Sequence, residues 1–178
     1  ILAEGETTKE AYGKNSFGEG CLLARRLVEK GVRFVEVNLG GWDHHNNIYD
    51  VFADKSRILD QAMGALVSDL SQRGLLDSTL IVLASEFGRT PKISERAGRN
   101  HYPKAFTGLL IGGGLKGGVT YGKTDAMGAN VIENKVEVPD FNATIAHAMG
   151  MDVSHVEISN SGRPFRVADK GKVITALF

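Results

Sequence analysis

Hydrophobic and polar positions along the chain fall into alternating helical and strand-like periods. From Phe17 to Lys30, Leu23, Leu27 and Val28 recur at helical spacing, with Arg25, Arg26, Glu29 and Lys30 on the other face. Gly31 ends that helix, because a residue without a side chain enters the left-handed cap at little cost. Arg33-Phe-Val-Glu-Val-Asn-Leu39 then alternates and is rich in β-branched and aromatic residues, the signature of a strand, closed by Gly40-Gly41. A long helix is predicted over 48–73, with Val51, Ile58, Leu59, Ala62, Leu66 and Leu70 on its inner face and Gly74 as its cap. Asp77-Ser78 makes a turn, and Thr79-Leu-Ile-Val-Leu-Ala84 is almost wholly apolar, like a parallel-sheet strand covered on both faces. Helix, strand, helix, strand in this order predicts an α/β fold, a layered sheet with helices on both faces.

The flanking segments add detail to this picture. Residues 1–15 are polar and weakly patterned, an arm that is either docked or loose. Phe87 to Pro103 is polar, holds Pro91 and Pro103, and carries Arg89, Lys92, Arg96, Arg99 and His101. Long loops at strand ends commonly carry function. Phe106 to Ile111 reads as a strand, Gly112 to Gly118 as a glycine-rich turn, Val119 to Tyr121 as the start of a hairpin, and Val136-Glu-Val138 as a short strand. Pro139 opens a helix to Met149, with Asp140 in its first turn. From Gly162 to Phe178 a short β segment precedes a brief terminal helix or strand. No repeat and no internal boundary is visible, so residues 1–178 read as a single domain.

Composition narrows the functional classes. At 178 residues, 42% hydrophobic and 24% charged, the chain has the make-up of a soluble globular domain with one core. A net charge of zero removes the electrostatic case for a nucleic-acid partner, which needs a basic face. A small anionic ligand needs only a local cluster of cations. No apolar run approaches the roughly 20 residues that span a bilayer. Cys21 is the lone cysteine, so no internal disulfide can form, and its helical context predicts a buried structural thiol. The opening Ile-Leu-Ala-Glu-Gly-Glu lacks a signal pattern and reads as the middle of a longer chain, hence a fragment or a processed product.

Three motifs carry candidate chemistry. Gly40-Gly41-Trp42-Asp43-His44-His45-Asn46-Asn47 follows a predicted strand, at the edge where open α/β sheets bind ligands. Asp43 and His45, two apart on an extended loop, converge as oxygen and imidazole ligands while His44 turns away. The same residues also suit a helix N-cap with exposed histidines. Ala84-Ser85-Glu86-Phe87-Gly88-Arg89-Thr90-Pro91 places Glu86 at a strand end, either as a metal ligand or in a salt bridge with Arg89. Gly-x-Ser-x-Gly is absent around Ser85, which argues against a serine triad. Gly98-Arg99-Asn100-His101-Tyr102-Pro103 adds His101, and Arg89 and Arg99 offer bidentate anion contacts. Ile111 to Gly118 matches neither a Walker loop nor a dinucleotide fingerprint and reads as a turn. His147 reads as a core or interface histidine, and His155 as a surface residue.

These motifs, in this order, resemble the DUF1501 family. So do Cys-Leu-Leu-Ala-Arg-Arg-Leu-Val-Glu-Lys-Gly-Val-Arg-Phe-Val near the start and Gly-Arg-Pro-Phe-Arg-Val-Ala-Asp-Lys-Gly near the end. That family is similar to the alkaline phosphatase superfamily, with its sulfatases and cofactor-independent phosphoglycerate mutases. The resemblance implies an alkaline phosphatase-like α/β fold, present in part as the C-terminal portion, and a two-metal site at a sheet edge. Carried over by position, Asp43, His45 and His101 correspond to the ligands of one metal, and Glu86 to the carboxylate of the second pair. Phe87 stands where the superfamily has the second histidine, which weakens that site. The segment that bears the superfamily's nucleophile is absent, so no catalytic residue is assigned. The resemblance also implies export in bacteria.

The leading expectation is the metal-site portion of a metal-dependent phosphate or sulfate ester hydrolase, inactive as isolated. Zinc or manganese suits the imidazole and carboxylate donors, and a small anionic ester is the expected substrate. The competing expectation is a non-catalytic binding or scaffold protein that retains the hydrolase fold. A third is a simple α/β domain whose histidines are all hydrogen-bonded. Truncation would also expose apolar surface or a strand edge, which predicts self-association.

Overall fold

The computed structural model describes residues 4–178. It is a mixed α/β structure with four helices and small sheets, and it divides into two compact units. The first holds the chain to Thr79 together with Arg89–Tyr102; the second holds Leu80–Gly88 and Pro103–Phe178. A single domain is what the sequence pattern predicts.

The first unit is built on three helices. Helix α1, Glu6–Tyr12, forms within the polar arm and buries Tyr12. Helix α2, Ser16–Glu29, starts where the Asn15 side chain accepts the Gly18 N–H at 3.0 Å. It ends as predicted, with Gly31 at φ 85° and the Val32 N–H returning to Leu27 O at 3.0 Å. Helix α3, Ile48–Gln72, buries Ala62, Leu66 and Leu70 against this layer, with Gly74 at φ 68° beyond it. Its N-terminal half differs from the predicted inner face, because Val51 is exposed. Cys21 is buried, and burial pushes its thiol up to about 11. Arg25 is buried too, at 1% exposure. Its Nη1 donates to Glu29 at 2.6 Å, while Nε and Nη2 pair by distance with Asp69 and Glu4, at 2.8 and 3.0 Å. The latter two contacts lack hydrogen-bond alignment and act as charge contacts.

Residues 33–39, read from the sequence as a strand, form no ladder with any other described residue. Val35, Val37 and Leu39 are half-buried while Phe34, Glu36 and Asn38 are exposed, so the alternation is real. Among the described residues no backbone hydrogen bond pairs this stretch. Alternation records which side chains face a packed surface; a strand needs in addition a neighbour that completes its hydrogen bonds.

In the second unit, β1, Leu80–Leu83, pairs antiparallel with β4, Leu109–Gly112, in the register Leu80 to Gly112. The expected parallel strand covered on both faces is therefore corrected to an antiparallel pair that is only partly covered, with Val82 exposed on one face and Leu109 on the other. Strands β5, Lys123–Thr124, and β6, Val131–Glu133, form a hairpin, and β7, Glu157–Ile158, pairs with β8, Pro164–Phe165. No sheet among the described residues exceeds two strands, where a layered sheet with helices on both faces was expected. Residues 136–138 are not a strand: Val138 opens helix α4, Val138–Ala148, behind a reciprocal Glu137–Asp140 capping box. Asp140 also accepts the Lys172 N–H at 2.8 Å, and Thr144 Oγ1 accepts the Ile174 N–H at 3.0 Å, which fastens the C-terminal segment to this helix. Among the described residues, no helix is long and apolar enough to cross a membrane.

Candidate metal centre

The first unit positions its candidate residues through two loops. Lys55, on α3, donates to Gly40 O at 2.7 Å. Gly41 sits at φ 78°, and a Cβ there would meet Lys55 Nζ at 2.8 Å. Trp42 packs edge-on against Phe52, with ring centroids 5.8 Å apart. The turn into α3 is thereby held on both sides of Trp42, and Asp43 follows it. The second loop docks on the first through its backbone. Asn47 N–H donates to Arg96 O at 3.1 Å, Ile48 N–H to Ala97 O at 2.7 Å, and Arg99 N–H to His44 O at 2.9 Å. Gly98 is the close-approach point, where a Cβ would fall 2.0 Å from the His45 carbonyl carbon and oxygen.

A two-stranded ribbon completes the support. Strand β2, Gly88–Arg89, pairs with β3, His101–Tyr102. Thr90 N–H donates to Asn100 O at 2.9 Å and Asn100 N–H to Thr90 Oγ1 at 3.1 Å, so the ribbon continues one step past both strands. Arg99 Nη1 reaches the carbonyls of Thr90 and Pro91, both at 2.6 Å, and braces the loop.

Three side chains meet on one carboxylate oxygen. Asp43 Oδ1 lies 3.0 Å from His45 Nε2, 3.0 Å from His101 Nε2 and 2.5 Å from Arg89 Nη1. The imidazole rings stand 5.1 Å apart, tilted by 45°. Hydrogen bonds from His101 and then Arg89 hold the Asp43 carboxyl below its ordinary range. His45 Nδ1, on the far side of its ring, is 3.1 Å from Asn100 Oδ1. An open cleft of about 540 Å³, lined by His45, Asn46, Ser94, Glu95, Arg96 and Asn100, adjoins this group.

The donor set fits a divalent ion. One ligand atom from each of Asp43, His45 and His101 lies within 4.8 Å of the others. Tetrahedral ligands at bonds of about 2.0–2.1 Å stand roughly 3.3 Å apart, close to the observed oxygen–nitrogen spacings. Of the predicted residues, Asp43, His45, His101 and Arg89 come together in the first unit. Glu86 is exposed and belongs to the second unit, and Arg99 serves the loop. His44 stands outside the group, with its Nε2 buried and without a hydrogen-bond partner. His147 is exposed and meets Phe178 edge-on at 4.9 Å, and His155 pairs with Glu157 at 2.8 Å on the surface. Asn100 is the participant that motif reading passes over. Its only signal is its place next to His101, and a carboxamide there has many bland uses.

A family model described as a protein of unknown function, DUF1501, matches residues 1–178. The chain belongs to the DUF1501 family. The three motifs that meet around Asp43, or flank it, are thus part of a DUF1501 sequence matched along its whole length. No curated protein and no solved structure matches this DUF1501 chain.

Proposed function

We propose that the Asp43, His45 and His101 group holds a divalent metal ion, zinc or manganese by donor chemistry, and belongs to a metal-dependent phosphate or sulfate ester hydrolase. One observation carries this reading: a single carboxylate oxygen stands 3.0 Å from Nε2 of two histidines, on two loops docked backbone to backbone. An ion held by these residues would supply Lewis acidity toward an ester oxygen. Asp43 offsets the ion's charge, His45 and His101 fix its place, and Arg89 beside Asp43 is positioned to attract an anionic ester. The alkaline phosphatase resemblance gives Glu86 the part of a carboxylate of a second metal pair, separate from the group that holds this ion. The alkaline phosphatase-like fold is part of the same proposal.

Elemental analysis of untagged protein purified without chelator tests it, with His45→Ala and His101→Ala alongside. A near-stoichiometric ion that both variants lose supports the site. No uptake of zinc or manganese at any supplied concentration sinks it.

A second reading draws on Arg89. Its guanidinium already pairs with Asp43, so the cluster is electrically satisfied as a histidine–aspartate–arginine network. Together with Phe87 in place of a histidine, this suits a binding or scaffold protein that keeps the fold without turnover. Retained thermal stability after exhaustive chelation, with no ion recovered, favours this reading.

A further inference from the structure

We propose that Asn100 is a positioning residue: its side-chain oxygen keeps the proton of His45 on Nδ1 and so presents Nε2 as a bare donor toward a cation. The inference rests on the metal reading above. A carboxamide oxygen only accepts, so the 3.1 Å contact with His45 Nδ1 requires that nitrogen to carry hydrogen. Nε2, across the ring, then faces Asp43 Oδ1 at 3.0 Å. Two lone pairs at that distance repel unless a positive charge lies between them, either an ion or a second ring proton. The arrangement therefore suits a cation at Nε2. A ligating histidine whose other ring nitrogen donates to a neutral or anionic acceptor is held in one tautomer and one ring orientation.

Asn100 is equipped to hold that acceptor still. Its own N–H and C=O are both bonded to Thr90, at 3.1 and 2.9 Å, so its backbone is pinned where the ribbon ends. The next residue is His101, so one rigid dipeptide supplies one ligand directly and orients the other. The backbone of His45 is held by the close approach of Gly98 to its carbonyl. Asn100 also lines the cleft beside the group, so a ligand entering there passes the residue that sets the imidazole.

The test uses Asn100→Leu, which keeps the shape and removes the acceptor, and Asn100→Asp, which keeps the acceptor. Nitrogen-15 spectra of histidine-labelled protein report which ring nitrogen of His45 is protonated, with His45→Ala for assignment. Wild type and Asn100→Asp should show a protonated Nδ1, with or without zinc. Asn100→Leu should shift the proton of the neutral ring to Nε2, and its zinc affinity in competition titration should fall about 10- to 100-fold. Asn100→Asp should stay near wild type. A bare Nδ1 in wild type, or an Asn100→Leu variant unchanged in both readouts, overturns the proposal. Failure of wild type to take up zinc while the tautomer still responds to Asn100→Leu overturns the metal reading and leaves the Asn100–His45 assignment standing.

Discussion

At the scale of single residues, the site depends on groups with no polar side chain of their own. Gly98 admits the His45 carbonyl at a distance that excludes any Cβ, and the obstacle is backbone, which cannot swing aside. Gly98→Ala should therefore cost about 3 kcal/mol, the upper range for overpacking, and weaken metal uptake along with it. Urea unfolding and metal analysis on the same preparation check both. Cys21 makes a contrasting case. It is buried and its thiol is pushed up to about 11, so little thiolate exists at neutral pH. Ellman's reagent should leave native protein unmodified over hours and react fully in denaturant; fast labelling of the native chain would contradict the packing described.

At the scale of elements, the buried Arg25 joins Glu4, α2 and α3 through Glu4, Glu29 and Asp69. Removing one member of a buried charge network leaves the others uncompensated. Arg25→Met should destabilise by about 3–5 kcal/mol by chemical denaturation. The same network makes the helical layer acid-sensitive. Burial raises the Asp69 carboxyl, but Arg73, Tyr12 and Arg25 outweigh it, and the net direction is downward. A carboxyl lowered by folding contributes stability that is fully present above its unfolded value and is lost as pH falls through its folded value. The urea midpoint should drop as pH is taken from neutral to below the carboxylate range, and Asp69→Asn should flatten that drop. The helices were the legible part of the chain: periodicity with Gly31, Gly74 and Pro139 located α2, α3 and α4 to within a few residues. Strands were less so. Whether residues 33–39 or 80–83 pair, and with what, is decided by distant chain segments that local alternation does not encode. At the site, Asp43, His45, Arg89 and His101 could be picked out because their side-chain chemistry is distinctive. Asn100 could not, since its role comes from a neighbour 55 positions away.

At the scale of the whole molecule, the segment 33–39 carries a prediction about association. It is extended, carries Phe34 at 76% exposure, and has no backbone partner among the described residues. An unpaired extended edge is a template for another strand. The chain should therefore self-associate, pairing this stretch antiparallel with its counterpart in a second copy. Light scattering across a concentration series should show growth in mass, and Val35→Lys should suppress it. A wild-type chain that stays monomeric at high concentration rules this out.

The docking of the second loop on the start of α3 has one more consequence. The amides of Asn47, Ile48 and Arg99 each donate to a carbonyl of the opposite loop. None of them can exchange its hydrogen with solvent unless the two loops part, so where intrinsic exchange outpaces reclosing the three should exchange at one common rate. That rate clocks the opening of the pair. An ion gripped by residues on both loops would slow all three together, while a ligand resting on one loop alone would leave the clock running at its original pace.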